Sequence, residues 1–269
     1  MTTTLTFHQL YPEQTLPILA KDYAHNTPRR AELFCHPFKE ARDAGCYFFS
    51  PVAFDFKLTD KSLSIRSKRD DGTYKAFEVL KSEAPSNNNF ILLQDVSEKT
   101  SERCQEYYRD RLKDQPLPDF INRETFGFYE IMLNVFAEKS PDDFFIQIWL
   151  GGVIETPAGV KVAVKHASNT QMDAGFLCLD GIIDTGQWHG WFAVVLKPQR
   201  KNEWVSVNCH QPLCQITGDS KVIDTLNIIP SKEVATDIFI KPVQWHICDK
   251  TYGRKPGKYQ RAYIKKAQT

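Results

Sequence analysis

Phe-Phe-Ile-Gln-Ile-Trp-Leu (144–150), Gly-Val-Lys-Val-Ala-Val (159–164), Gly-Phe-Leu-Cys-Leu (175–179), Trp-Phe-Ala-Val-Val-Leu (191–196) and Trp-Val-Ser-Val (204–207) follow one another along the chain. Each run is short, rich in β-branched and aromatic residues, and bounded by Gly, Pro, Asn or Asp. That is the pattern of successive strands separated by turns. A block of this kind, reaching to Ile216, predicts a mainly β protein: a twisted β-sandwich or distorted barrel carrying one or two surface helices.

The flanks fit the same plan. Thr-Leu-Thr-Phe-His-Gln-Leu-Tyr (4–11) alternates, with Leu5, Phe7 and Gln9 on one face. Glu32 to His36 is a second candidate strand, stopped by Pro37, and Phe38 to Ala44 forms one or two helical turns ended by Gly45. Val52 to Leu58 and Ser62 to Arg66 alternate on either side of Thr59-Asp60-Lys61, which predicts a hairpin. Asp70-Asp71-Gly72 is another turn, and Phe90 to Leu93 a short buried strand. The strongest helix spans Ser97 to Lys113, with a thin stripe of Cys104, Tyr108 and Leu112 that suits the surface of a sheet. Phe126 to Val135 reads as strand more than helix, Asp224 to Ile229 as strand, and Ser231 to Val234 as a helical turn. No linker or repeat divides the chain, so one domain over 1–269 is expected, with a break at 115–125 as the alternative.

Composition narrows the function classes. A chain of 269 residues with 42% hydrophobic and 12% aromatic content has enough apolar matter for a core. Its 34 basic and 33 acidic residues leave a net charge of +1, so no global field draws it to nucleic acid. The one local bias is the tail, where Arg254, Lys255, Lys258, Arg261, Lys265 and Lys266 alternate with tyrosines. A solvated basic tail is the plain reading and a phosphate-binding arm the sharper one. No run of 18 apolar residues suggests a membrane span, and the first residues do not read as a signal peptide. The seven cysteines are scattered without a Cys-x-x-Cys pair, which predicts reduced thiols and a cytoplasmic protein.

Standard catalytic signatures are absent: no phosphate-binding Gly-x-x-x-x-Gly-Lys, no Gly-x-Gly-x-x-Gly after a strand, no His-Glu-x-x-His, no Gly-x-Ser-x-Gly. Gly151-Gly152 instead marks a bulge or a close backbone approach. His166, His189 and His210 punctuate the β block, with Glu155, Asp173, Asp180 and Asp184 near them. Two such imidazoles and a carboxylate would suit a divalent metal such as iron, while ordinary hydrogen-bonded histidines are the plainer reading. Asp180 and Asp184, four apart on one strand face beside His189, are candidate catalytic acids and bases; the plainer reading makes them turn residues. Trp149 and Trp188 belong either to a binding pocket or to the core. Cys209-His210 and Cys35-His36 are adjacent pairs whose side chains point to opposite faces, which disfavours a thiol nucleophile.

The order Gly181-Ile-Ile-Asp-Thr-x-x-Trp188, then Phe192, then Pro212-Leu-Cys-Gln-Ile216 resembles an uncharacterised bacterial family known as a domain of unknown function, DUF6065. Pro28, Cys35-x-Pro37, Ala41, Ala44-Gly45 and Pro51-Val-Ala-Phe54 fit as well, so the likeness covers most of residues 5–220. It departs at Lys165-His166-Ala167, where the family carries an Arg-Gly-Pro-like stretch before its Asn. The resemblance implies a soluble, β-rich, single-domain protein with no settled reaction, and it suggests Asn169, Asp184, Thr185 and Trp188 as site positions. Two functions stand as expectations. One is an enzyme acting on a small molecule or modified peptide in a cavity between sheets, with or without a metal. The other is a non-catalytic binding or assembly protein that uses aromatic strand faces, accessory to a biosynthetic or phage gene set.

Overall fold

The computed structural model describes residues 2–23, 35–68, 71–80, 89–92, 106, 110, 132–137, 144–168, 174–188, 190–218, 222–239 and 241–242. The first half contributes β1 (Thr2–Gln9), β2 (Ile18–Leu19), a 3-10 turn (Ala20–Asp22), α1 (His36–Asp43), β3 (Cys46–Phe49), β4 (Phe54–Leu58), β5 (Ser62–Lys68), β6 (Tyr74–Leu80), β7 (Asn89–Leu92) and β8 (Met132–Ala137). The second half contributes β9 (Phe144–Trp149), β10 (Gly152–Glu155), β11 (Lys161–His166), β12 (Phe176–Cys178), β13 (Gly181–Asp184), β14 (Ala193–Pro198), β15 (Val205–Val207), β16 (Pro212–Gly218) and β17 (Val222–Ile229). A helical segment over 236–239 and 241–242 follows. The protein is mainly β, as its sequence predicts, and all five runs of the opening block are strands.

The strands form four sheets, ordered β10-β1-β17, β13-β11-β16-β3-β2, β12-β14-β9-β8-β7 and β15-β4-β5-β6. None closes into a barrel among the described residues. One apolar core draws on all four: Leu5, Phe7 and Ile154 from the first, Phe48, Val162 and Ile216 from the second, Ile148, Val194 and Leu196 from the third, Phe56, Leu63 and Ile65 from the fourth. No helix among the described residues is long and apolar enough to cross a membrane, which leaves strands aside.

Gly151-Gly152 is where the chain changes sheets. Just past the β9–β14 pairing, Leu150 N donates to the Phe192 carbonyl and Phe192 N donates to the Gly152 carbonyl, both at 2.8 Å. One residue on, the Gly151 carbonyl accepts the N–H groups of both Leu10 and Tyr11 at 2.9 Å, and β10 pairs with β1. A Cβ on Gly151, at φ +72, would lie 1.6 Å from Gln14 Oε1, and one on Gly152 would lie 2.4 Å from the Phe7 ring. The glycines permit the close approach that their position after a strand implies.

The β4–β5 hairpin is as expected, with Leu58 opposite Leu63 and the Thr59 hydroxyl accepting the N–H groups of Lys61 and Ser62. His36 belongs to α1, not to a strand ending at Pro37. Cys35 is the N-cap and Pro37 sits in the first turn, where its missing N–H costs nothing. Residues 32–34 lie outside the described residues, as do 115–125, the tail, and the 97–113 helix except for Glu106 and Asp110, both helical. Ser231 opens a turn closed by Glu233 N to Pro230 O at 2.8 Å, and helix begins only at 236.

β3 is buried on both faces, which sets a pH dependence. Cys46 and Phe48 face the main core, while Tyr47 and Phe49 face a second cluster with Ala20 and Ala167. Burial pushes the Cys46 thiol from 9.0 up to about 12 and pushes the Tyr47 phenol up as well. The unfolded chain therefore loses the Cys46 proton first, and the stability present below pH 9 is lost as pH rises toward 12. At about 1.4 kcal/mol per unit, Cys46 alone removes about 3 kcal/mol by pH 11. Urea midpoints at pH 8 and pH 11 should show this loss, and Cys46→Ala should shrink it by that amount. Equal pH slopes for the two proteins would contradict it.

Candidate functional site

β10 runs antiparallel to β1, with Phe7 opposite Ile154 and His8 opposite Val153. Alternation sends Phe7 and Ile154 into the core and leaves His8, Val153 and Glu155 on the other face of the same sheet. Over that face lies a cleft of about 390 Å3, between β10 and its continuation at Thr156 and Ala158, the turn at Thr185, Gly186 and Trp188, and Ile238, Lys241 and Pro242 of the last helical segment. Three parts of the chain far apart in sequence thus share one concavity of a size suited to a small ligand.

Its walls are held by local bonds. The Asp184 carboxylate accepts the Gly186 N–H at 3.1 Å, and the Asp184 carbonyl accepts the N–H groups of Gln187 and Trp188 at 3.0 and 2.9 Å. This Asx-type turn ends β13 and aims Thr185 and Trp188 at the cleft. Thr156 donates to the Val160 carbonyl at 2.9 Å, so in its 2.6 Å contact with Thr185 the Thr185 hydroxyl is the donor. Both hydroxyl protons are spent, and Thr185 keeps acceptor capacity toward the cleft. Trp188 Nε1 donates to the Trp191 carbonyl at 3.2 Å, and the Trp191 ring packs on Trp149 with centroids 4.4 Å apart. Trp188 therefore offers the cleft its ring while its N–H is satisfied behind it.

The charged wall residues are Glu155 and Lys241. Glu155 Oε2 lies 2.8 Å from Nε2 of His8, which is 12% exposed against 42% for the carboxylate. His8 Nδ1 is buried without a hydrogen-bond partner. The imidazole backs the carboxylate and fixes its orientation.

Of the residues that sequence singles out, Thr185 and Trp188 line the cleft, and Asp184 shapes the turn that carries them. Trp149 sits behind, buried at 8% exposure against Trp191. Asp180 lies exposed just before β13, and Asp184 ends that strand four positions on. Each has a lysine of β11 near it. Asp184 stands opposite Lys161 in the β11–β13 register. The charge of Asp180 acts on Lys165, partly offsetting the burial that lowers the Lys165 pKa.

His166 accepts the Cys178 N–H on Nδ1 at 3.2 Å and meets the Phe176 ring edge-on, a structural placement. His210 is exposed in the turn before β16, with its N–H on the Asn208 side chain. No group of three or more His, Cys, Asp or Glu side chains is placed to hold a metal ion among the described residues. Asn169, Asp173 and His189 lie outside them. All five described cysteines are free thiols; Cys178 and Cys214 are core residues, and burial pushes the Cys214 thiol well up.

Sequence reading places Glu155 only among the carboxylates near the β block, and passes over Thr156, Ile238, Lys241 and Pro242. Nothing local marks these positions, because β-sheet pairing and a distant helical turn assemble them. No family model matches the chain, and no curated protein matches it either.

Proposed function

We propose that the protein is a binding protein that holds a small molecule or a peptide segment in the cleft between β10, the 185–188 turn and the 236–242 segment. The observation that carries this reading is the cleft itself, where an indole face, a hydroxyl acceptor and two charged side chains converge on one concavity. Small-molecule sites combine an apolar wall with a few placed polar groups in this way. Thr185 and Trp188 are also positions suggested by the likeness to DUF6065. An enzymatic reading has one observation in its favour, the His8–Glu155 pair, in which an oriented carboxylate stands at the wall as a general base would.

One experiment addresses both readings. The purified chain is incubated with a small-molecule and peptide extract, desalted and denatured, and the released species are identified by mass spectrometry. Ala158 is exposed on the cleft rim, so Ala158→Trp fills the space without touching the core. A species retained by the wild type and reduced about tenfold or more in Ala158→Trp is expected, from the loss of cleft contacts. Identical profiles for the two proteins would defeat the binding reading. Conversion of the retained species by wild type but not by Glu155→Gln would favour the enzyme.

A further inference from the structure

We infer that the ligand of this cleft is an organic anion, a carboxylate or phosphate carried on an apolar body, with Lys241 as its counter-ion; the inference rests on the cleft being a binding site. The wall's polar groups are unequally satisfied. Glu155 is held by His8 at 2.8 Å, Thr156 and Thr185 are bonded to each other, and the Trp188 N–H is bonded to Trp191. Lys241, half-buried and lining the same space, has no ion pair or hydrogen bond among the described residues. A ligand anion in the cleft meets this ammonium at the wall, where partial burial strengthens the attraction over that in bulk water.

The neighbours complete the specification. Trp188, Ile238, Pro242 and Ala158 offer apolar contact for the ligand's body. Glu155 disfavours a second anionic group on its side of the cleft, so the charge belongs at the Lys241 end. Thr185 Oγ1, its proton spent on Thr156, adds an acceptor for a donor group on the ligand. The cleft thus selects a molecule with one anionic end and a ring or chain behind it.

Matched probes test this on the full chain. Indole-3-acetate is compared with indole-3-acetamide, and phenyl phosphate with phenol, by ligand-observed NMR titration. The anion should bind about fivefold or more tightly than its neutral partner in at least one pair, the range of a partly shielded ion pair. The pair that shows the preference tells carboxylate from phosphate. Lys241→Met should abolish the preference and Lys241→Arg should keep it. Equal binding of anion and neutral partner, both lost in Ala158→Trp, would overturn the anion and leave the cleft as a binding site. A preference that survives Lys241→Met would also overturn it. No saturable binding by any probe would overturn the inference and count against the cleft together.

Discussion

Gly45→Ala should lower the unfolding free energy by about 4 kcal/mol, seen as a large drop in urea midpoint with an unchanged slope. Gly45 stands at φ +68, a left-handed conformation that costs an L residue about 1–2 kcal/mol. The second contribution is steric. A Cβ there would lie 2.0 Å from the carbonyl oxygen of Ile216 and 3.0–3.1 Å from the next two backbone atoms. Those atoms belong to β16, which is hydrogen-bonded to β3 on one side and β11 on the other, so the clash is not relieved by turning a side chain. The Gly45 carbonyl also accepts the Ala20 N–H at 2.9 Å, which pins the 3-10 turn over the second cluster. Gly72, by contrast, has φ +84 with nothing within 4 Å of a built Cβ, so Gly72→Ala should show only the conformational part of the cost. A Gly45→Ala variant no less stable than Gly72→Ala would contradict the steric argument.

Most strands with an apolar face were legible. The runs at 144–150 and 191–196 pair as β9 and β14 in the middle of a sheet, and their near-continuous apolar content reflects burial. β6 escaped because it lies at a sheet edge among the described strands. Tyr74, Ala76, Glu78 and Leu80 are exposed, so Tyr74–Leu80 shows no clean alternation of apolar and polar. β10 escaped for a different reason. The two glycines that read as the end of a strand are a bend through which the chain enters another sheet. Local pattern carries no information about which sheet follows.

The site was legible only in the part that is local in sequence. Asp184-Thr185-x-x-Trp188 stands out as a dense polar and aromatic turn, and it forms one wall of the cleft. Asp184 ends β13 while Asp180 lies just before it, so the spacing of four does not set both on one strand. The lysine opposite Asp184 comes from the β11 register, which no single-strand pattern encodes. The remaining wall is contributed by Glu155 and Lys241, which are linked through β1, β17 and the chain that follows β17.

Gln215→Leu should cost about 4 kcal/mol, nearly as much as the glycine substitution, although Leu matches Gln in size and suits a strand. Gln215 is 0% exposed in β16, and its amide nitrogen lies 3.0, 3.1 and 2.6 Å from the carbonyls of Ala41, Arg42 and Ala44. Those are carbonyls at the end of α1, that of Arg42 also accepting the Tyr47 hydroxyl at 2.6 Å, and α1 lacks a buried apolar face and ends in exposed and half-buried residues. Its amide oxygen accepts the Ser168 N–H at 3.2 Å, so one side chain ties α1 and the segment after β11 to β16. Leu would leave four backbone groups without this partner while filling the space that water would need to replace it. Gln215→Glu separates hydrogen bonding from packing. It keeps the shape and an acceptor for Ser168 but sets a carboxylate against three carbonyls, so it should destabilise at neutral pH at least as much as Leu. A Gln215→Glu protein as stable as wild type would mean that shape, and not the amide donors, secures α1. The Gln of Pro212-Leu-Cys-Gln-Ile216 is thus accounted for by folding, which leaves Thr185 and Trp188 as the positions of the quoted motifs that line the cleft.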